Sequence, residues 1–130
     1  MRIHHLGYAV KNIDNAINEF LEIGYEKVGE TILDEERKVI IQFVKNGELC
    51  IELVSPVDAS SSINSIINKN GSTPYHICYR VDNITEAVVE LKNNGYVLMG
   101  EPLSAVAIDS KKVVFMYNKH IGIIELVEDN

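Results

Sequence analysis

Residues 5–25 and 76–96 are two versions of one segment. HLGYAVKNIDNAINEFLEIGY laid without a gap over HICYRVDNITEAVVELKNNGY gives nine identities in 21 positions, where ordinary composition gives roughly one or two. A repeat of this kind narrows the possible folds more than any other feature, because each copy has to build the same supersecondary unit. The offset is 71 residues, so the chain holds two copies and little more.

Each copy opens on a strand, expected at Ile3 to Val10 and at Tyr75 to Val81. A helix follows in each. Ile13, Ala16, Ile17, Phe20 and Leu21 recur at helical spacing, as do Ile84, Ala87, Val88 and Leu91, so each helix has one apolar face. Asn12 and Asn83 stand at the N-cap positions, and Asn83 with Glu86 has capping-box spacing. Gly24 and Gly95 fall just past the helices, where a left-handed residue ends the turn. The back halves read as strands: Arg37 to Phe43 is set against Lys111 to Tyr117. Asn46-Gly47 marks a hairpin into Leu49 to Val54, and the matching last strand, Ile121 to Val127, is expected one residue sooner. Ile63, Ile66 and Ile67 suggest a short amphipathic helix between the copies, stopped by Asn70-Gly71.

The expected architecture is α+β: two tandem βαβββ modules, residues 1–55 and 73–130, joined by a linker at 56–72 that carries the short helix. A unit of this size has too little core to stand alone. The two mixed sheets are therefore expected to curl into one shared cup with the helices outside, the whole forming one structural domain.

A net charge of −7 disfavours a nucleic-acid surface, which needs clustered Lys and Arg, and gives no attraction to anionic membranes. No apolar run is long enough to span a bilayer, and the start, MRIHHLGYAV, lacks the pattern of a signal peptide. Cys50 and Cys78 each sit in an apolar strand-like run, which suits buried thiols in a reducing compartment rather than a disulfide. The expected location is the cytoplasm.

The polar exceptions to the apolar pattern are themselves duplicated. His5 and His76 are equivalent in the first strands; Glu52 and Glu125 are equivalent in the last strands, each inside Ile-Glu-Leu-Val. A carboxylate in the middle of an apolar strand is costly unless it is paired or bound to metal. Alternation places Leu6, Tyr8 and Val10 under the helix and His5, Gly7 and Ala9 on the opposite face, with His76, Cys78 and Arg80 disposed likewise. Two imidazoles and two carboxylates then form an N₂O₂ set for one divalent ion, with Ni, Co or Zn ahead of Mn and Fe(II), and two positions open if it is six-coordinate. His4 should point away from His5 into surface or helix packing, and His120 lies in a turn. Arg80 could hold an anionic group of a substrate or serve as a plain ion-pair partner.

HHLGYAV, IELVSP, PYHICYRVDNI and IIELVE resemble the four metal-ligand segments of the vicinal-oxygen-chelate, or glyoxalase-like, superfamily. The likeness is to bacterial glyoxalase I enzymes and methylmalonyl-CoA epimerases, and it covers nearly the whole chain. It carries the ligand roles to His5, Glu52, His76 and Glu125. The stretch from Ile51 to Val81, with its short linker helix, is more like the epimerases. Against that, Asp34 to Val39 stands where they carry a Pro-x-x-Gly-Val turn, and Met116 to Lys119 where they carry a His-Pro-Lys segment. Glyoxalase I enzymes often have an Arg at the position of Ala9. The resemblance implies a metal-dependent lyase or isomerase that removes a proton next to a carbonyl through an enediolate, with Glu125 the first candidate base and Glu52 the second. Three readings follow: glyoxalase I-like conversion of a methylglyoxal hemithioacetal to a lactoyl thioester, placed first; epimerisation of a 2-methylmalonyl thioester; and a metal-free protein that sequesters an antibiotic. The expected partners are a small thioester or hemithioacetal and, from resemblance alone, a second copy in a homodimer.

Overall fold

The structure is a computed structural model, and it describes residues 1–129. Among the described residues the chain is α+β, with three α-helices and nine strands. Contacts divide it into two compact units: residues 5–75, and residues 1–4 together with those from 76 onward.

The first unit contains most of β1 (Arg2–Ala9), then α1 (Ile13–Glu22), β2 (Glu26–Asp34), β3 (Val39–Asn46), β4 (Leu49–Pro56) and α2 (Asn64–Asn70). Its sheet runs in the order β2-β3-β4-β1. The β4–β1 pair is parallel and the other two pairs are antiparallel. Helix α1 starts where the sequence places its cap: Asn12 is extended, and its side-chain oxygen accepts from the Asn15 amide at 2.9 Å. It ends at Ile23, with Gly24 following at φ 103°. Its apolar face meets the strands: Val10, Ile13, Ile17, Val44, Ile51 and Leu53 form one buried cluster, with Leu6, Tyr8 and Phe20 packed against it. Each Ile or Leu buried there contributes about 1.5–3 kcal/mol. The cluster takes the β1 face of Leu6, Tyr8 and Val10, so His5 is left on the other face.

The second unit repeats this with β5 (Thr73–Val81), α3 (Ile84–Asn93), β6 (Val97–Leu98), β7 (Leu103–Ala105), β8 (Lys111–Asn118) and β9 (Gly122–Glu128). Asn83 caps α3 through the Glu86 amide at 2.9 Å, and Gly95 follows the helix at φ 88°. Val81, Ile84, Ala87, Val114, Met116, Ile124 and Leu126 form its core. Strand β5 pairs with β9 in parallel, β9 with β8 antiparallel, and both β6 and β7 lie on β8.

Two expectations about the back halves need correction. The counterpart of β2 is broken into β6 and β7, separated by Met99-Gly100-Glu101-Pro102 and followed by a 3₁₀ turn at Val106–Ile108. Gly100 adopts φ 155°, and Pro102 has no N–H to donate to a ladder, so a continuous strand cannot pass through. The register also differs from the sequence alignment. Phe43 is the partner of Glu52, and Phe115 the partner of Glu125, so Phe43 matches Phe115 rather than Tyr117. The error is two residues, which leaves every side chain on its expected face. The second hairpin is accordingly longer by one residue. Asn46 pairs with Leu49 around Gly47-Glu48, whereas Asn118 pairs with Gly122 around a three-residue loop. The Ile121 amide donates to the Asn118 carbonyl at 3.2 Å, and Gly122 follows at φ 88°, the bulged geometry typical of three-residue loops.

The segment between the copies forms α2 as the isoleucine spacing predicts. Ile63 and Ile67 are buried, and Gly71 stops the helix at φ 72°. Among the described residues no helix is long and apolar enough to cross a membrane.

Candidate metal centre

Each unit brings together its own histidine and glutamate. In the first, the parallel register sets Gly7 against Glu52, and His5 lies two residues back along β1 on the same face. His5 Nε2 is 3.4 Å from Glu52 Oε1. In the second, Cys78 is set against Glu125, His76 lies two residues back on β5, and His76 Nε2 is 3.2 Å from Glu125 Oε1. Hydrophobic neighbours on both sides of each carboxylate hold it in the sheet interior: the exposures are 1% and 6% for His5 and Glu52, and 3% and 4% for His76 and Glu125.

The donor chemistry of each half-site fits a transition metal. Ligand atoms about 2.0–2.2 Å from one ion, at tetrahedral or octahedral angles, stand roughly 3.0–3.5 Å apart. Both imidazole-to-carboxylate separations fall in that interval. All four residues are buried, and each offers a ligand atom of metal-binding type. A phenylalanine completes each half: the rings of His5 and Phe43 are 5.5 Å apart at 83°, and those of His76 and Phe115 are 5.1 Å apart at 89°. The sequence alignment conceals this third member, because it sets Phe43 against Tyr117. Counting back from each glutamate would have found it, at nine residues in one copy and ten in the other.

Arg80 is engaged elsewhere. Its guanidinium pairs with Asp129, which also accepts from Lys111 Nζ at 2.7 Å. The Lys111 ammonium, ahead of Arg80, holds the Asp129 carboxyl below the usual carboxylate range. Arg80 lines an open cavity of about 480 Å³ beside α3, with Arg2, Asn83, Glu86, Glu90 and Asp129. The ion-pair alternative is thus the one the structure favours for it. His4 differs from expectation: a ring nitrogen lies within 4.8 Å of the Cys78 thiol, and the side chain is half-buried. His120 is exposed in the β8–β9 turn. Cys78 is buried, Cys50 half-buried, and neither is in a disulfide.

Residues 4–115 match the family described as the glyoxalase/bleomycin resistance protein/dioxygenase superfamily. The chain belongs to that superfamily. Within it the chain is homologous to methylmalonyl-CoA epimerases. It is 30% identical over 122 residues to the mitochondrial methylmalonyl-CoA epimerase of Homo sapiens, covering 93% of this chain and 69% of that protein. It is 27% identical to the ethylmalonyl-CoA/methylmalonyl-CoA epimerase of Cereibacter sphaeroides, covering 91% of this chain and 89% of the other. The fold matches the crystal structure of methylmalonyl-CoA epimerase from Mycobacterium tuberculosis with a TM-score of 0.85 at 24% identity, over 99% of this chain and 88% of that one. The relatives named as epimerases favour that branch over the glyoxalase I branch that the sequence alone placed first.

Proposed function

We propose that this protein epimerises a 2-alkylmalonyl thioester, of which methylmalonyl-CoA is the simplest case, at one divalent ion held by His5, Glu52, His76 and Glu125. The observation that carries the reading is the duplicated half-site: a buried carboxylate on one strand of each unit, beside a buried imidazole on the next. Epimerisation needs a base on one face of the substrate carbon and an acid on the other. Two carboxylates related by a repeat suit that requirement, and the relatives named as epimerases support it.

A bound ion of this class, Ni, Co or Zn, supplies electrostatic stabilisation for the negative charge that develops on the thioester oxygen. The chain's own residues do the rest. His5 and His76 would each offer an imidazole nitrogen to the ion. Glu125 takes the proton from the carbon next to the carbonyl, and Glu52 returns one from the opposite side. Both carboxylates are buried in the strand interior, which keeps bulk water away from the charge that develops during proton transfer. Arg80 is already paired with Asp129, so it is a secondary contact in this scheme.

The hemithioacetal reaction needs the same proton removal, and the two-glutamate ligand set favours it as the second reading. Metal-free antibiotic binding gives no role to four buried ligand-type side chains. The deciding experiment supplies the metal-loaded protein with one epimer of methylmalonyl-CoA in D₂O and follows C2 deuteration with optical rotation. Deuteration with loss of rotation is expected. Inactivity on this substrate together with turnover of a methylglyoxal hemithioacetal would reverse the order. The remainder of the reading is a cytoplasmic homodimer, and sedimentation equilibrium tests the second copy.

A further inference from the structure

We infer that Phe43 and Phe115 are positioning residues that set the ring planes of the two histidines, and so the direction in which each presents Nε2. The inference rests on the metal reading given above.

Each phenylalanine is fixed from two sides. Across the antiparallel pairs, Phe43 is the partner of Glu52 and Phe115 the partner of Glu125. Each ring also stands almost perpendicular to an imidazole, at 83° for His5 and 89° for His76. Three adjacent strands therefore contribute one residue each to a His–Glu–Phe group, β1, β4 and β3 in one unit and β5, β9 and β8 in the other. The terminal torsion of a histidine is broad, so burial alone does not set the tilt of the imidazole plane. A perpendicular aromatic neighbour does constrain that tilt, because the ring quadrupoles disfavour turning the pair into a face-to-face sandwich.

Two facts argue against incidental packing. The phenylalanines lie outside the 21-residue stretch in which the copies are most alike, yet both recur in the same relation to histidine and glutamate. Their surroundings also differ. Phe43 has Val28 of a continuous β2 beside it, whereas Phe115 lies where the Met99 amide donates to its carbonyl, in the gap between β6 and β7. The contact with histidine is kept while the outer neighbour changes. Both rings are half-buried beside buried imidazoles.

The test uses Co(II), whose visible absorption reports both affinity and coordination geometry, on the unmodified protein and on Phe43→Leu, Phe115→Leu, Phe43→Tyr and Phe115→Tyr. Tyrosine keeps the ring and can turn its hydroxyl to solvent from a half-buried site. Each Leu variant should bind Co(II) about tenfold more weakly, the magnitude typical of groups that orient metal ligands, with altered absorption bands. Each Tyr variant should match the unmodified protein. Melting of the metal-free proteins separates folding from binding. Unchanged affinity in the Leu variants, or equal losses in Leu and Tyr, overturns the positioning role while the metal reading stands. Failure of the unmodified protein to bind Co(II) removes the metal reading itself, and the inference with it.

Discussion

The two units agree most closely at the strands that bear histidine and glutamate, and least at their outer strands. The parallel pairs β1–β4 and β5–β9 have the same register around their glutamates, Gly7 with Glu52 and Cys78 with Glu125. Both His–Glu contacts are alike, at 3.4 and 3.2 Å. The outer strands diverge: β2 is nine residues long, while its counterpart is divided at Gly100 and Pro102. The lesson is that the half-site depends on three strands of each unit, and the fourth is free to change. One difference reaches the site itself. Beside Glu52 the chain has Gly7, with no side chain; beside Glu125 it has the buried thiol of Cys78. The carboxylates are thus equivalent in backbone and unequal in room to move.

The sharpest way to break the comparison is to neutralise each carboxylate in turn. Glu125→Gln should lower turnover by 100-fold or more, roughly the contribution of a general base, while Co(II) remains detectable by absorption. If the two glutamates act on opposite faces, Glu52→Gln should be about as damaging, and each variant should still exchange the C2 proton of one epimer with D₂O. Exchange lost from both epimers in Glu125→Gln, with Glu52→Gln unaffected, would mean a single base serves both faces.

A second test addresses the outer strands, where Gln42 accounts for part of the difference. The pairing of β2 with β3 shifts between Val28 and Ile32, and Gly29 turns out at φ 70°. Carbonyls at such a bulge lose their ladder partners. Gln42, fully buried, takes them up: its amide donates to the carbonyls of Val28 and Gly29 at 3.2 Å each, and its oxygen accepts from Thr31 at 2.7 Å. The matching position in the second unit is Val114, since both lie opposite a leucine, Leu53 and Leu126. With no continuous outer strand there is no bulge to satisfy. Gln42→Val should therefore destabilise by about 2–3 kcal/mol in urea melts, the cost of leaving buried polar groups unsatisfied. Val114→Ile should cost less, about 1 kcal/mol of overpacking.

Much of this was legible in the sequence, for reasons that particular residues show. The faces of β1 and β5 follow from alternation, because burial under a helix selects Leu6, Tyr8 and Val10 and leaves His5 opposite. Asn12, Asn83, Gly24 and Gly95 announce helix ends through local chemistry. The strand register was not legible, since a slip of two residues preserves the alternating pattern and makes Phe43 over Tyr117 look as good as Phe43 over Phe115. The engagement of Arg80 was hidden too. Its partner Asp129 is 49 residues away, in a stretch without repeat or motif.

The smallest effects concern the helix caps, where the units look equal and are not. Asn12 and Asn83 each accept one amide from the first turn at 2.9 Å. Helix α3 has a further acceptor, because the Ile84 amide donates to Glu128 Oε2 at 2.9 Å. That carboxylate also sits at the positive end of the helix dipole, where a negative charge is favourable. Asn12→Ala should then cost about 1 kcal/mol in urea melts, the usual value for losing such a cap. Asn83→Ala should cost about half as much, because Glu128 continues to satisfy and neutralise the same helix end. Combining Asn83→Ala with Glu128→Gln should remove that protection and bring the loss at α3 up to that at α1. Equal single losses at Asn12 and Asn83 would show that the added carboxylate contributes nothing, and that the two helix starts are as alike in energy as they are in sequence.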